Sequence, residues 1–271
     1  MNSDLTHTDL VPSRVNVLGI GISVLNLDSA LSVLSKALES GYRGYVTVTG
    51  VHGVMESQDD PVLRHVHNQS LMSTPDGMPM VWIGRIRGHR EMSRVYGPDL
   101  MNRVFEWSCK TGRTHFFYGG NTGVAQELKI CLEKKFPGLR VVGTFTPPFR
   151  PLNADEDQAL VCQVKLCKPD FVWVGLSTPK QERFMAQYLS KLPEAKILIG
   201  VGAAFDFFTG RVRQAPFWIQ RSGFEWLYRV CQEPRRLWKR YLRNNPLFLV
   251  KALIQLTGLR EYPMDKSSVD P

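Results

Sequence analysis

Leu71-Met72-Ser73-Thr74-Pro75-Asp76-Gly77-Met78-Pro79-Met80-Val81-Trp82 enters a sharp turn from apolar residues and leaves it into an apolar run. Pro75 presets one backbone angle and Gly77 permits positive φ, so the carboxylate between them sits on a rigid bend. Taken alone, Pro-Asp-Gly is also the composition of any tight turn. The residues upstream give it meaning. Gly44-Tyr45-Val46-Thr47-Val48-Thr49 reads as a strand, and Gly50-Val51-His52-Gly53 follows at its carboxyl end. A helical stretch over 54–67, interrupted at Asp59-Asp60-Pro61, then leads to the Asp76 turn. This strand-loop-helix-strand order brings the Gly50 loop and Asp76 to neighbouring strand ends, where open parallel sheets bind ligands.

The same alternation extends both ways. On the amino side, 14–25 reads as a short strand segment, and Asp28 caps a helix with Ala30, Leu31, Leu34 and Leu38 at helical spacing. On the carboxyl side, helices are predicted over 81–87 and 98–109, with Gly97-Pro98-Asp99 opening the second. Strands over 114–118, 139–144, 170–175 and 195–201 alternate with helices over 124–135, 154–168 and 180–191. Apolar strands alternating with helices predict an α/β fold: a single Rossmann-like parallel-sheet domain over 14–210 with helices on both faces. Residues 1–13 are expected to be a flexible N-terminus. Past 210 the chain turns basic, aromatic and helical, and 211–271 is expected to form an appendage cut into short helices by Pro216, Pro234 and Pro246, fraying over 262–271.

Charge singles out that appendage. Between 211 and 260 stand eleven Lys or Arg against Glu225 and Glu233, a net +9 that equals the whole chain's. Such a regional excess suits phosphates, nucleic acid or an anionic membrane surface. The five cysteines are odd in number and form no Cys-x-x-Cys pair, as expected of a reduced cytosolic compartment. The polar start with Asp4 and Asp9 is unlike a signal peptide. No apolar run approaches the roughly 18 residues of a membrane span, the best, over 247–254, being broken by Lys251, so membrane contact is expected to be peripheral.

Three glycine-bearing strand ends could meet a nucleotide-sized ligand. Gly119-Gly120-x-x-Gly123 lies between a strand and a helix, where backbone N–H groups approach a phosphate or ribose, or where the chain simply turns tightly. Gly175-Leu176-Ser177-Thr178-Pro179-Lys180-Gln181-Glu182 and Gly200-Val201-Gly202-Ala203-Ala204-Phe205-Asp206 repeat the form. Asp155-Glu156-Asp157 stands at a helix start, where acids favour the dipole, and reads as capping rather than as a metal-binding pair. His52, His65, His67, His89 and His115 lack metal-ligand spacing. His65 and His67 are expected on a helix surface, while His52 is expected in the loop facing Asp76. In the tail, Phe224-Glu225-Trp226-Leu227-Tyr228-Arg229 and Glu233-Pro234-Arg235-Arg236-Leu237-Trp238-Lys239-Arg240-Tyr241 set arginines among aromatics, a composition suited to diphosphates and membrane surfaces, or to a solvated face.

Thr74-Pro-Asp-Gly-Met-Pro, Arg94-Val-Tyr-Gly-Pro-Asp-Leu, Phe117-Tyr-Gly-Gly, Pro179-Lys-Gln-Glu, Gly200-Val-Gly-Ala-Ala-Phe-Asp and Glu225-Trp-Leu-Tyr-Arg, followed by Glu-Pro-Arg-Arg, resemble the WecG/TagA/CpsF family of bacterial glycosyltransferases, in order from about residue 15 to 241. The resemblance implies an inverting, metal-independent transfer from a UDP-sugar to a polyprenyl-diphosphate-linked sugar at the cytoplasmic membrane face, with no cofactor. It implies Asp76 as the general base, with Thr49 and His52 as further catalytic candidates. The substrate-binding candidates are Gly50, Gly77, Tyr118, Gly119 and Gly120, then Gln181, Glu182 and Gly202, then Arg229, Arg236 and Arg240, these arginines offsetting the leaving group's charge. No metal ligand is assigned.

One loop departs from the family. Relatives carry an Asn, often in Thr-Pro-Asn-Pro, where this chain has Gly50, and Val48 stands at the family's Thr. The departure leans the reading towards an exopolysaccharide hexosyltransferase, with an N-acetylmannosamine transferase as the alternative. The expected partners are the UDP-sugar, the lipid-linked acceptor, an anionic membrane surface and further copies of the chain, with no nucleic acid. A nicotinamide oxidoreductase is disfavoured because the full Gly-x-Gly-x-x-Gly fingerprint and its acidic ribose ligand are absent. A phosphate- or nucleic-acid-binding protein, permitted by the basic tail, leaves the acid on its rigid turn unexplained.

Overall fold

The computed structural model describes residues 10–264. Its centre is a six-stranded parallel sheet built from β3 (Gly44–Thr49), β4 (Met72–Pro75), β5 (Thr114–Gly119), β6 (Arg140–Phe145), β7 (Phe171–Gly175) and β8 (Ile197–Gly200), in the order β4-β3-β8-β7-β5-β6. Strand residues alternate between two cores. Phe171, Trp173, Ile197, Ile199 and Phe117 pack on one face against α1 (Leu27–Glu39), α5 (Gly97–Thr111), α6 (Val124–Lys135) and α9 (Ala204–Phe208). Val172, Val174, Leu198 and Phe116 pack on the other against α3 (Pro61–Asn68), α7 (Ala154–Cys167) and α8 (Lys180–Lys191). Burial on both sides is why these strands read as continuous apolar runs.

The amino-terminal segment forms two strands where the sequence reading expects one. β1 (Arg14–Val17) and β2 (Ile20–Ser23) pair antiparallel across Leu18-Gly19, both at positive φ, the backbone of a two-residue hairpin turn. This hairpin lies against β4, the Ser73 N–H donating to Ser23 Oγ at 3.0 Å. The next helices, α2 (Val51–Asp59) and α4 (Met78–Ile86), also start earlier than their sequence patterns suggest, at the glycine N-caps Gly50 and Gly77.

Past 210 the chain forms α10 (Phe217–Ser222), α11 (Glu225–Gln232) and α12 (Pro234–Leu256). Pro216 and Pro234 mark helix starts as expected, but Pro246 does not divide the tail: it lies inside the 23-residue α12. A proline forfeits the bond to the carbonyl four residues earlier. Here that turn, at Leu242 and Arg243, is exposed, while Leu237, Asn244, Phe248, Ala252 and Gln255 form a buried stripe that holds the helix to the protein. Gln255 accepts from the Leu18 N–H at 3.0 Å and donates to Asn16, tying α12 to the hairpin. On the amino side, Leu10 is buried in the core, while residues 1–9 and 265–271 of the segments expected to be flexible lie outside the described residues.

Phe248, 2% exposed against Leu18, Ile22, Met80 and Ile83, tests whether α12 is part of the fold. Phe248→Ala is expected to cost about 3–5 kcal/mol in denaturant unfolding. Leu253→Ala, on the exposed side of α12, should stay within about 0.5 kcal/mol. Equal midpoints for the two variants would place α12 outside the cooperative unit.

Candidate active site

Four adjacent strands, β4, β3, β8 and β7, end at one crevice, and α10, α11 and α12 close over it. The cavity of ≈ 440 Å³, open on one side to solvent, is lined by Gly50 and His52 after β3, Asp76 and Gly77 after β4, Ser177 and Thr178 after β7, and Gly202 after β8. Arg229, Arg236 and Arg240 face it from α11 and α12. Residues far apart in sequence therefore meet because their strands are neighbours.

The Asp76 turn is held by backbone on both sides. Its N–H donates to the Thr49 carbonyl at 3.0 Å, and the Val95 N–H donates to the Pro75 carbonyl at 3.0 Å. Gly77 follows at φ 95°, which an L side chain adopts only under strain. A Cβ on Gly50 would stand 2.8 Å from the Asp76 carbonyl oxygen, so any side chain at this position would require the turn to shift. Burial pushes the Asp76 carboxyl up to about 7, opposed by Arg94 and Arg229 and assisted by Glu225 and Asp99. A carboxyl that titrates near neutrality is suited to take a proton from a hydroxyl.

Thr49, a catalytic candidate, does not line the cavity. Its hydroxyl is buried, donating to Thr47 Oγ1 at 3.1 Å and accepting from Ser73 Oγ at 2.8 Å, with His67 Nδ1 at 3.1 Å. With the donor and one lone pair of the hydroxyl used, His67 must supply Nδ1–H. Thr49 thus supports the Asp76 turn from beneath. His67, expected on a surface, is fully buried, and burial pulls its pKa down to about 4.

His52 lines the cavity from the first turn of α2 rather than from a loop. Burial, then the Arg240 charge, lowers its pKa to about 4, so it is neutral at pH 7. Its Nδ1 lies 3.1 Å from the Asn244 amide nitrogen, which ties α2 to α12.

Gln181 faces the cavity and accepts from the Gly202 N–H at 2.9 Å. Glu182 sits behind it, fully buried, accepting from Gln181 Nε2 at 3.0 Å and Thr178 Oγ1 at 2.9 Å; burial raises its pKa. It orients Gln181 and does not itself line the cavity.

Tyr118, Gly119 and Gly120 also fall outside the cavity. β5 is separated from β3 by β7 and β8, the Tyr118 ring stacks on Phe184 at 4.0 Å, and Gly119 and Gly120 pack against Gly175 and Val124. The glycine loop after β5 is a tight turn. Asp155-Glu156-Asp157 caps α7 as expected, Glu156 completing a capping box with Asn153.

The arginines are arranged for anions. Arg229 lies 5.6 Å from the Phe207 ring centre, and Arg240 Nη2 donates to Tyr241 at 3.3 Å. The Nε atoms of Arg229 and Arg240 are buried with no acceptor among the described residues. Burial opposes the Arg229 charge, while the carboxylates of Glu225 and Glu233 favour it.

The sequence profile of the glycosyl transferase WecG/TagA/CpsF family matches residues 15–262, which span both the sheet and the helices over the cavity. This chain belongs to that family. Among curated relatives, an N-acetylglucosaminyldiphosphoundecaprenol N-acetyl-beta-D-mannosaminyltransferase of Bacillus subtilis (strain 168) is 32% identical over 62% of this chain and 63% of its own length. The protein of the same name from Bacillus spizizenii is 28% identical over 80% of this chain and 83% of its own.

Within this family frame, several cavity residues escaped the sequence reading. Trp82, Phe207 and Asn245 line the cavity without any spacing that would have singled them out. Tyr96 and Glu225 stand inside the motifs that carry the resemblance, as does Arg94 beside them, but nothing local showed which of them turn towards Asp76.

Gly50→Ala is expected to cut turnover at least about tenfold by displacing the Asp76 turn, while Gly53→Ala, whose nearest contact would be 3.4 Å, is tolerated. Steady-state rates of the two variants check this.

Proposed function

We propose that the chain transfers a sugar from a UDP-sugar to a polyprenyl-diphosphate-linked sugar with inversion, Asp76 acting as general base. The observation that carries this reading is one cavity holding a carboxyl that titrates near 7 on its floor and three guanidinium groups in its wall. Asp76 takes the proton of the acceptor hydroxyl as its oxygen bonds to the anomeric carbon. The bond from that carbon to UDP breaks, and the electron pair leaves with the diphosphate. Arg229, Arg236 and Arg240 meet that negative charge. Gln181, locked by Glu182 and Gly202, supplies a fixed polar contact near the nucleotide.

Two observations bear on the sugar. Val48 and Gly50 give the cavity floor no side-chain hydrogen-bonding group where relatives carry Thr and Asn, which favours a hexose donor in exopolysaccharide assembly. The names of the Bacillus relatives favour N-acetylmannosamine. Among the described residues no helix is long and apolar enough to cross a membrane. The exposed Phe217, Trp218, Leu242, Leu249 and Leu253, set among the basic residues of α10 and α12, suit peripheral adhesion to an anionic inner membrane face, where the lipid-linked acceptor would be met.

UDP release from a panel of UDP-sugars, with a short-chain polyprenyl-diphosphate sugar as acceptor and EDTA present, is expected to show acceptor-dependent turnover with one donor. Silence both with EDTA and with divalent metal restored would overturn the reading.

Asp76→Asn should lower turnover about 10²–10⁴-fold while UDP binding persists. Because the base must be ionised, kcat/KM of the native enzyme should fall as pH drops through about 7.

A further inference from the structure

Arg94 stands where the core meets the helices that cover the cavity. It is tied to the Asp76 turn through its neighbour, since the Val95 N–H donates to the Pro75 carbonyl at 3.0 Å and Thr74 Oγ1 donates to the Val95 carbonyl at 3.2 Å. Its guanidinium lies 4.1 Å over the Tyr96 ring. One hydrogen bond and one ion pair from beyond residue 210 hold it: Gln220 Oε1 of α10 accepts from Nη1 at 2.7 Å, and Glu225 Oε2 of α11 forms an ion pair with Nη2 at 2.9 Å, Nε and Nη2 having no aligned hydrogen-bond acceptor among the described residues. Gln220 is itself fixed, its amide donating to the Ala215 carbonyl at 2.7 Å.

Glu225 thus pairs with a guanidinium whose charge also acts on the Asp76 carboxyl. The charged groups acting on Asp76 are Arg94 from the segment before α5, Asp99 from the first turn of α5, and Glu225 and Arg229 from α11, with Tyr96 beside them. Arg94 is the strongest of these charges, yet the Asp76 carboxylate forms no hydrogen bond among the described residues. A planar guanidinium that meets a free carboxylate forms a two-pronged pair and occupies the lone pairs a base needs.

We propose that Glu225 is a positioning residue: it holds Arg94 on the α11 side and so leaves the Asp76 carboxylate uncommitted for the acceptor hydroxyl. The inference rests on Asp76 acting as the base.

The test is the titration of the Asp76 carboxyl by ¹³C NMR in the full chain, its resonance assigned with Asp76→Asn. Glu225→Gln should lower the midpoint by about one pH unit, tenfold in the protonation equilibrium, with the acid limb of kcat/KM following it. The same substitution on an Arg94→Gln background should move the midpoint by less than about a third of that. Equal shifts in both backgrounds would mean that Glu225 acts by its own charge, and no shift in either would mean that it does not act on Asp76; both overturn the proposal. If Glu225→Gln does not fold, Glu225→Asp, which keeps the charge but shortens the reach to Arg94, is read in the same way. Asp76→Asn that retained turnover would refute the base assignment, whereas the midpoints report on Glu225 independently of it.

Discussion

The site depends on the parallel pairing of β3 with β4. Their register sets Thr49 against Pro75, which brings the Thr49 carbonyl to the Asp76 N–H and lays Gly50 against the Asp76 carbonyl oxygen. A backbone bond on one side and a missing Cβ on the other fix the turn before any ligand arrives. Beneath it, Thr47, Thr49, Ser73 and His67 Nδ1 are linked in a buried polar network, while His67 Nε2 has no partner among the described residues. Buried hydroxyls without such partners would cost more than the bonds gain, so the network specifies a single arrangement of the two strand ends. The Asp76 turn is thus supported by side chains that do not line the cavity.

The second constraint is electrostatic. The half-buried Asp76 carboxyl, pushed up to about 7, has positive charge close by but, among the described residues, no hydrogen bond from it. The protein supplies Arg94 and Arg229 and restrains Arg94 with Gln220 and Glu225. The wall of the cavity repeats the logic for the opposite sign, leaving the Nε atoms of Arg229 and Arg240 buried and without acceptors among the described residues. In each case a charged group is kept desolvated and underused, a cost the fold carries until an oppositely charged or proton-bearing ligand offsets it. The stripe that anchors α12 on the hairpin brings these helices back over the strand ends.

Much of this was legible beforehand, and the failures are informative. Gly77 and the turn at Asp76 follow from backbone sterics, and the apolar strands follow from burial on both faces. The loop at Gly119 and Gly120 has the local form of a phosphate cradle, but its strand is separated from β3 by β7 and β8, and neither glycine lines the cavity that holds Asp76. Pro246 has the local form of a helix break, yet a buried stripe on the opposite face outweighs one lost hydrogen bond. His67 sits in a polar-looking helix and is nonetheless buried, with its Nδ1 on the Thr49 hydroxyl at 3.1 Å.

The sequence by itself determined the alternation of strands and helices, the rigid acid-bearing turn, the basic aromatic tail and the family, since propensity, periodicity and motif are written in adjacent residues. Only the tertiary structure decided that β3 lies beside β8, some 150 residues away in the chain, so that Asp76, Gln181 and Gly202 share one crevice. It alone decided that Thr49 supports rather than lines the site, and that Glu225 reaches Arg94. Strand order and side-chain partners are settled by packing and charge between distant segments, and no local pattern carries that information.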